Sequence, residues 1–149
     1  MPAINPWKSY RQTATLTAPP GQIILMLYDG ALRFLERALR GFELTDPAQL
    51  NMTVNNNLFR ARDIIRELDC ALNLEQGGEL AQTLHQLYEY FESRIHVSNL
   101  KKQSQGIEEV IQHLNVLRDA WATMLRGESG TALGELGPQP ALNSASALA

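Results

Sequence analysis

The chain has 149 residues, is 44% hydrophobic and 19% charged, and carries a formal net charge of -3. That balance suits one packed domain and excludes both a wholly disordered chain and the basic stripe of a nucleic-acid binder. The single cysteine, Cys70, excludes an intramolecular disulfide framework and any multi-cysteine metal centre.

Residues 1–16 form an N-terminal arm with Pro2, Pro6, Trp7 and Tyr10. Met1 to Tyr10 has no apolar run of the kind that a signal peptide needs. Residues 17–126 are rich in Leu, Ala, Glu, Arg and Gln and break into four helical segments. The first is expected from about Pro20 to Phe42, with Thr17 as a cap. The densest apolar run in the chain, Ile23 to Tyr28, lies within it and is far short of the roughly 20 residues that cross a membrane. Gly41 and Thr45-Asp46-Pro47 separate it from the second, which Asp46 caps and Pro47 opens. The second is expected to run to about Leu74, before Gly77-Gly78. The third spans about Glu79 to Lys101, with Lys101 and Lys102 at the negative end of its dipole. Ser104 or Gln103 caps the fourth, which ends at Gly127. From Gly127 onward there is no Lys or Arg, and Gly130, Gly134, Gly137, Pro138 and Pro140 interrupt the chain, so 127–149 is expected to be a flexible tail.

Apolar residues recur every three or four positions in each segment. The stripes are Leu50, Val54, Leu58, Ala61, Ile65, Leu68 and Leu72, then Leu80, Leu84, Leu87, Tyr88, Phe91 and Ile95, then Ile107, Val110, Ile111, Leu114, Leu117, Trp121 and Leu125. No segment alternates with period two. Helices of roughly 20–25 residues span about 30–37 Å. Matched lengths and short connections predict an all-α fold, an antiparallel up-down four-helix bundle.

Some apolar residues exceed what a bundle core requires. In the first helix they cover roughly 200° from Ile23 to Phe42, where a surface helix needs little more than 100°. Either that helix is central or lies under the arm, or part of its arc awaits a partner. Met52, Phe59 and Cys70 lie behind the second stripe, as Tyr90 and Val97 lie behind the third. Phe59 and Tyr90, on neighbouring helices, outline a candidate groove for a peptide. Gly30, costly in mid-helix, points to a close approach by another helix or a ligand.

The catalytic constellations are missing. Glu92 with His96 and Glu109 with His113 stand at i,i+4, a spacing that more often makes exposed pairs than metal sites. His85, His96 and His113 lack the Lys and Gly of a phosphotransfer site. Gly77-Gly78 precedes no Gly-Lys-Ser/Thr phosphate cradle, and Cys70 has no activating histidine nearby in sequence. The chain is expected to be neither an enzyme nor a cofactor binder.

The run Leu16-Thr17-Ala18-Pro19, continued by Leu25-Met26-Leu27-Tyr28-Asp29-Gly30-Ala31-Leu32-Arg33-Phe34-Leu35, resembles the signature of the flagellar secretion chaperone family FliS. Tyr10-Arg11-Gln12, Arg60-Ala61-Arg62-Asp63-Ile64-Ile65-Arg66-Glu67-Leu68, Gly77-Gly78-Glu79-Leu80-Ala81, Asn99-Leu100-Lys101-Lys102 and Leu117-Arg118-Asp119-Ala120-Trp121 continue the likeness, which covers about residues 7–125 in register. Pro19 and Asn57 depart from it, standing where relatives carry a capping serine and an aliphatic residue.

The resemblance implies a cytoplasmic, non-enzymatic chaperone that binds the C-terminal segment of flagellin, prevents premature polymerisation and assists delivery to the export apparatus. Export-gate components would be further partners. Nucleic acid and membrane insertion are not expected. It carries binding roles to Tyr10 as a mobile cover, to Ile24, Tyr28 and Asp29 on the first helix, to Asn55, Phe59 and Arg62 on the second, and to Tyr90, Arg94 and Val97 on the third. The alternative, read from the same patches, is a helical scaffold that self-associates, with a homodimer as its simplest form.

Overall fold

The computed structural model describes residues 20–127. The arm with Tyr10, the Thr17 cap and the tail beyond Gly127 lie outside the described residues. Four helices follow in order: α1 (Pro20–Gly41), α2 (Pro47–Cys70), α3 (Gly78–Lys101) and α4 (Gln105–Gly127). No strand occurs among the described residues.

The helices close a ring, α1 against α2, α2 against α3, α3 against α4 and α4 back against α1. Cross-helix pairs fix the antiparallel sense. On the α2–α3 seam, Asp69 meets His85, Arg66 meets Glu92 and Asn55 meets Asn99. The Trp121 indole donates to the Gly21 carbonyl at 2.7 Å, tying the last turns of α4 to the first turn of α1. The core at the ring's centre includes Leu35, Leu58, Ile65, Phe91, Ile95, Ile107 and Leu114.

The wide apolar arc of α1 follows from its place between two neighbours. Leu27, Tyr28, Ala31, Leu35 and Ala38 are buried in the core. On the α2 side, Gly30 faces Ile64 and Gly41 faces Thr53; on the α4 side, Gly21 faces Leu125. A methyl group at Gly30 would stand 3.2 Å from Ile64 Cδ1, so the bare Cα lets α1 and α2 approach closely. The close approach is made by α2.

Helix ends follow local chemistry. The Asp46 carboxylate accepts the Gln49 amide at 3.0 Å and Pro47 opens α2. At its other end α2 stops at Cys70, short of the expected Leu74. Asn73 ends it: its side-chain oxygen accepts the Gln76 amide at 3.0 Å, and its carbonyl accepts the Gly77 amide at 2.7 Å. A local turn competes there with helical bonding. Gly78 then takes φ 58° as α3 begins. Leu80, expected in the core stripe, is 43% exposed in the first turn of α3, where Ala81 takes the buried position instead. Asn57, the departure in an aliphatic position, turns its amide back to the Thr53 carbonyl at 2.8 Å.

The α3–α4 corner turns on Lys102, left-handed at φ 50°. That conformation disfavours a side chain, and the Lys102 ammonium offsets it by donating to the Asn99 carbonyl at 2.9 Å, at the negative end of α3.

Candidate functional site

Apart from Tyr10, Ile24 and Tyr28, the expected site residues fall on three different seams of the ring. On the α2–α3 seam a polar ladder runs the length of the bundle. His85 Nδ1 lies 2.7 Å from Asp69, Arg66 donates to Glu92 at 2.6 Å, Arg62 lies 3.4 Å from His96, and Asn99 donates to Asn55 at 2.8 Å. The Arg62 Nε is buried and has no partner among the described residues. An unpaired buried donor is costly unless something supplies an acceptor.

Beside this ladder α2 exposes two large apolar side chains one heptad apart, Met52 at 63% and Phe59 at 54%. Leu100, 71% exposed, lies next to Asn99 on α3, and the Asn55–Asn99 bond brings it to the Met52 end of the strip. Phe59 stands three and four residues from Arg62 and Asn55, so all three share one edge of α2.

Tyr90 and Arg94 lie on the other flank of α3. Both donate to Glu109 of α4, Tyr90 at 2.5 Å and Arg94 at 2.8 Å. The Tyr90 hydrogen bond, the largest of several causes, lowers the Glu109 pKa, and the same bond raises that of Tyr90. The Tyr90 ring stays 43% exposed, while Val97, on the same side of α3, is half-buried. Phe59 and Tyr90 therefore line separate seams with α3 between them, not one groove.

Asp29 occupies a third seam. Its carboxylate accepts from Arg118 at 2.8 Å across α1–α4, which holds that guanidinium more firmly charged. An open depression of about 300 Å³ lies there, lined by Asp29, Leu32, Arg33, Glu36, Asn115, Arg118 and Asp119.

Ile24 and Tyr28 correct the expected surface. They are 7% and 4% exposed, and both belong to the core. Neither is available to a partner in this structure, because the flank of α1 that carries them faces the bundle interior. Leu100 and Val116, 68% exposed on α4, were absent from the expected site. Both lie off the apolar stripe of their helix, the same signal that singled out Phe59.

The i,i+4 pairs considered for metal binding are engaged otherwise. Glu92 holds Arg66, Glu109 holds Tyr90 and Arg94, and His113 Nδ1 lies 2.9 Å from the Glu109 carbonyl. No group of three His, Cys, Asp or Glu residues converges among the described residues. No helix among them is long and apolar enough to cross a membrane.

A ring of four amphipathic helices with large apolar side chains left outside it agrees with the family that the motifs suggest. The family model described as "Flagellar protein FliS" matches residues 3–128. The chain belongs to the FliS family. It is 34% identical over 124 residues to the flagellar secretion chaperone FliS of Bacillus subtilis, covering 83% of this chain and 89% of that protein. The flagellar secretion chaperone FliS of Salmonella typhimurium is 37% identical over 119 residues, covering 76% of this chain and 85% of the relative. That of Escherichia coli is 33% identical over 119 residues, covering 79% and 85%. FliS relatives are thus named for chaperoning flagellar secretion, a binding role.

Proposed function

We propose that this FliS-family chain is a cytoplasmic, non-enzymatic export chaperone that binds the C-terminal segment of flagellin. Covering that segment prevents premature polymerisation and keeps the subunit in a form that the export apparatus and its gate components accept. The observation that carries this reading is the exposure of Met52, Phe59 and Leu100 on a bundle whose core is already filled. Large apolar side chains grouped on a surface mark an interaction site. Phe59 serves as an aromatic anchor, with the outer N–H groups of the Arg62 guanidinium and the Asn55 amide beside it as donors for client backbone carbonyls.

Tyr90, Arg94 and Val97 extend the contact around α3, and Asp29 lies farther on, across α4. Residues spread over three seams suit an extended client that wraps the bundle better than a short one in a single groove. Such a client orders as it binds, which takes roughly 2–5 kcal/mol or more from the gross interaction.

Titration calorimetry with a flagellin C-terminal peptide tests the assignment. Phe59→Ala and Tyr90→Ala should each weaken binding about tenfold or more while helical circular dichroism stays unchanged. Unchanged affinity in both variants discards the surface. Light scattering separates a chaperone from a self-associating scaffold, since a scaffold keeps the same particle mass when the peptide is added.

A further inference from the structure

Four arginines on the outer side of α1 and α2 form no ion pair among the described residues. Arg33, Arg37 and Arg40 are spaced four and three apart on one side of α1, and Arg60 of α2 joins them; all four are exposed. The Arg37 and Arg60 guanidinium carbons lie 5.5 and 5.7 Å from the centre of the Phe34 ring. By contrast Arg66, Arg94 and Arg118 each hold a carboxylate. On a chain of net charge -3, an unpaired cluster of four positive charges is a local excess.

We propose that this face docks a carboxylate-rich segment of a partner protein. A guanidinium held against an aromatic ring is restrained in position, yet its N–H edge stays free for a second partner. Two such groups around one ring present preset forks to carboxylates, which Arg grips bidentately and Lys does not. The cluster contains no lysine. Screening at physiological ionic strength limits the attraction to about 8 Å, so a segment lying on the patch feels chiefly the four arginines, with the Glu36 carboxylate of α1 as an opposing charge. A broad anionic bilayer would also meet Asp29, Glu36 and Asp119, which border the depression beside Arg33. The observations therefore favour an acidic protein segment over a lipid surface. This face is separate from the strip of Met52, Phe59 and Leu100, and its failure would leave the client assignment standing.

Fluorescence anisotropy tests the proposal with the full chain and a labelled peptide of alternating Asp and Ser. Saturable binding is expected that salt weakens and that an Asn-for-Asp peptide lacks. The double variant Arg37→Gln/Arg60→Gln should lose about tenfold in affinity or more, and the charge-matched Arg66→Gln/Lys101→Gln less than about twofold. Arg33→Gln/Arg40→Gln gives a second measure should the first variant lose its helical dichroism. Absence of saturable binding, or equal losses in the Arg37/Arg60 and Arg66/Lys101 variants, overturns the proposal. So does equal arginine-dependent binding to phosphatidylglycerol vesicles, which would make the face a membrane contact.

Discussion

The hydroxyls of Tyr28 and Tyr88 meet at 2.5 Å in the bundle interior, joining α1 and α3, the helices that face each other across the ring. Both rings are buried, 4% and 2% exposed. Each hydroxyl is the other's partner, so removing one strands the other. Tyr28→Phe or Tyr88→Phe alone should destabilise the fold by about 1–3 kcal/mol, and the double variant by clearly less than the sum of the two. Urea unfolding of the four proteins measures that coupling.

The same pair sets an alkaline limit. Burial pushes the Tyr28 pKa up to about 12 and that of Tyr88 well above its usual value. Above pH of about 10 the unfolded chain releases protons that the folded chain keeps, so stability falls as pH rises, by up to about 1.4 kcal/mol per unit and per tyrosine. Phe at both positions should flatten that fall, as read by unfolding midpoints from pH of about 9 to about 11.

Identical substitutions should part company at Phe91 and Phe59. Phe91 is 0% exposed and Phe59 54%. Phe91→Ala should cost about 3–5 kcal/mol through the cavity that it leaves. Phe59→Ala should change stability by no more than about 0.5 kcal/mol. Chemical denaturation of the two variants makes the comparison, and a large loss at Phe59 would place that ring in the core.

His85 of α3 is tied to α2 through Asp69 at 2.7 Å and also meets Glu89 of its own helix at 3.1 Å. The Asp69 hydrogen bond, then its charge, raises the His85 pKa above the ordinary 6.5. The folded chain holds this proton more tightly than the unfolded chain does. Its contribution is therefore complete below pH of about 6.5 and fades as pH rises through the higher folded value. His85→Gln should remove that part of the pH dependence of the melting temperature. NMR titration of the His85 ring should give a midpoint above that of an unfolded-chain histidine.

Asp46→Ala should destabilise α2 by about 1 kcal/mol, because the Gln49 amide loses its only capping acceptor while Pro47 still opens the helix. Asp46→Asn should recover most of the loss in thermal unfolding.

Sequence alone determined what local chemistry and periodicity control. Asp46 and Pro47 mark a helix start by hydrogen bonding and φ restriction within a few residues, and the stripes through Val54, Phe91 and Leu114 face inward because a helix repeats every 3.6 residues. The exposed position of Phe59 was legible for the same reason, as an apolar residue off its stripe. Tertiary structure decided which side of each helix had a neighbour. The apolar arc of α1 reads alike for a packed helix and a docking face; only packing within the bundle, where Tyr28 meets Tyr88 of α3, puts Ile24 and Tyr28 in the core. Phe59 and Tyr90 sit on adjacent helices, but the turn of α3 about its own axis put them on separate seams. The stop at Cys70 rested on Asn73 closing a turn, a competition between two hydrogen-bonding patterns that composition does not rank. Local signals specify where a helix begins and which of its faces is apolar, while what covers that face is a relation between distant residues.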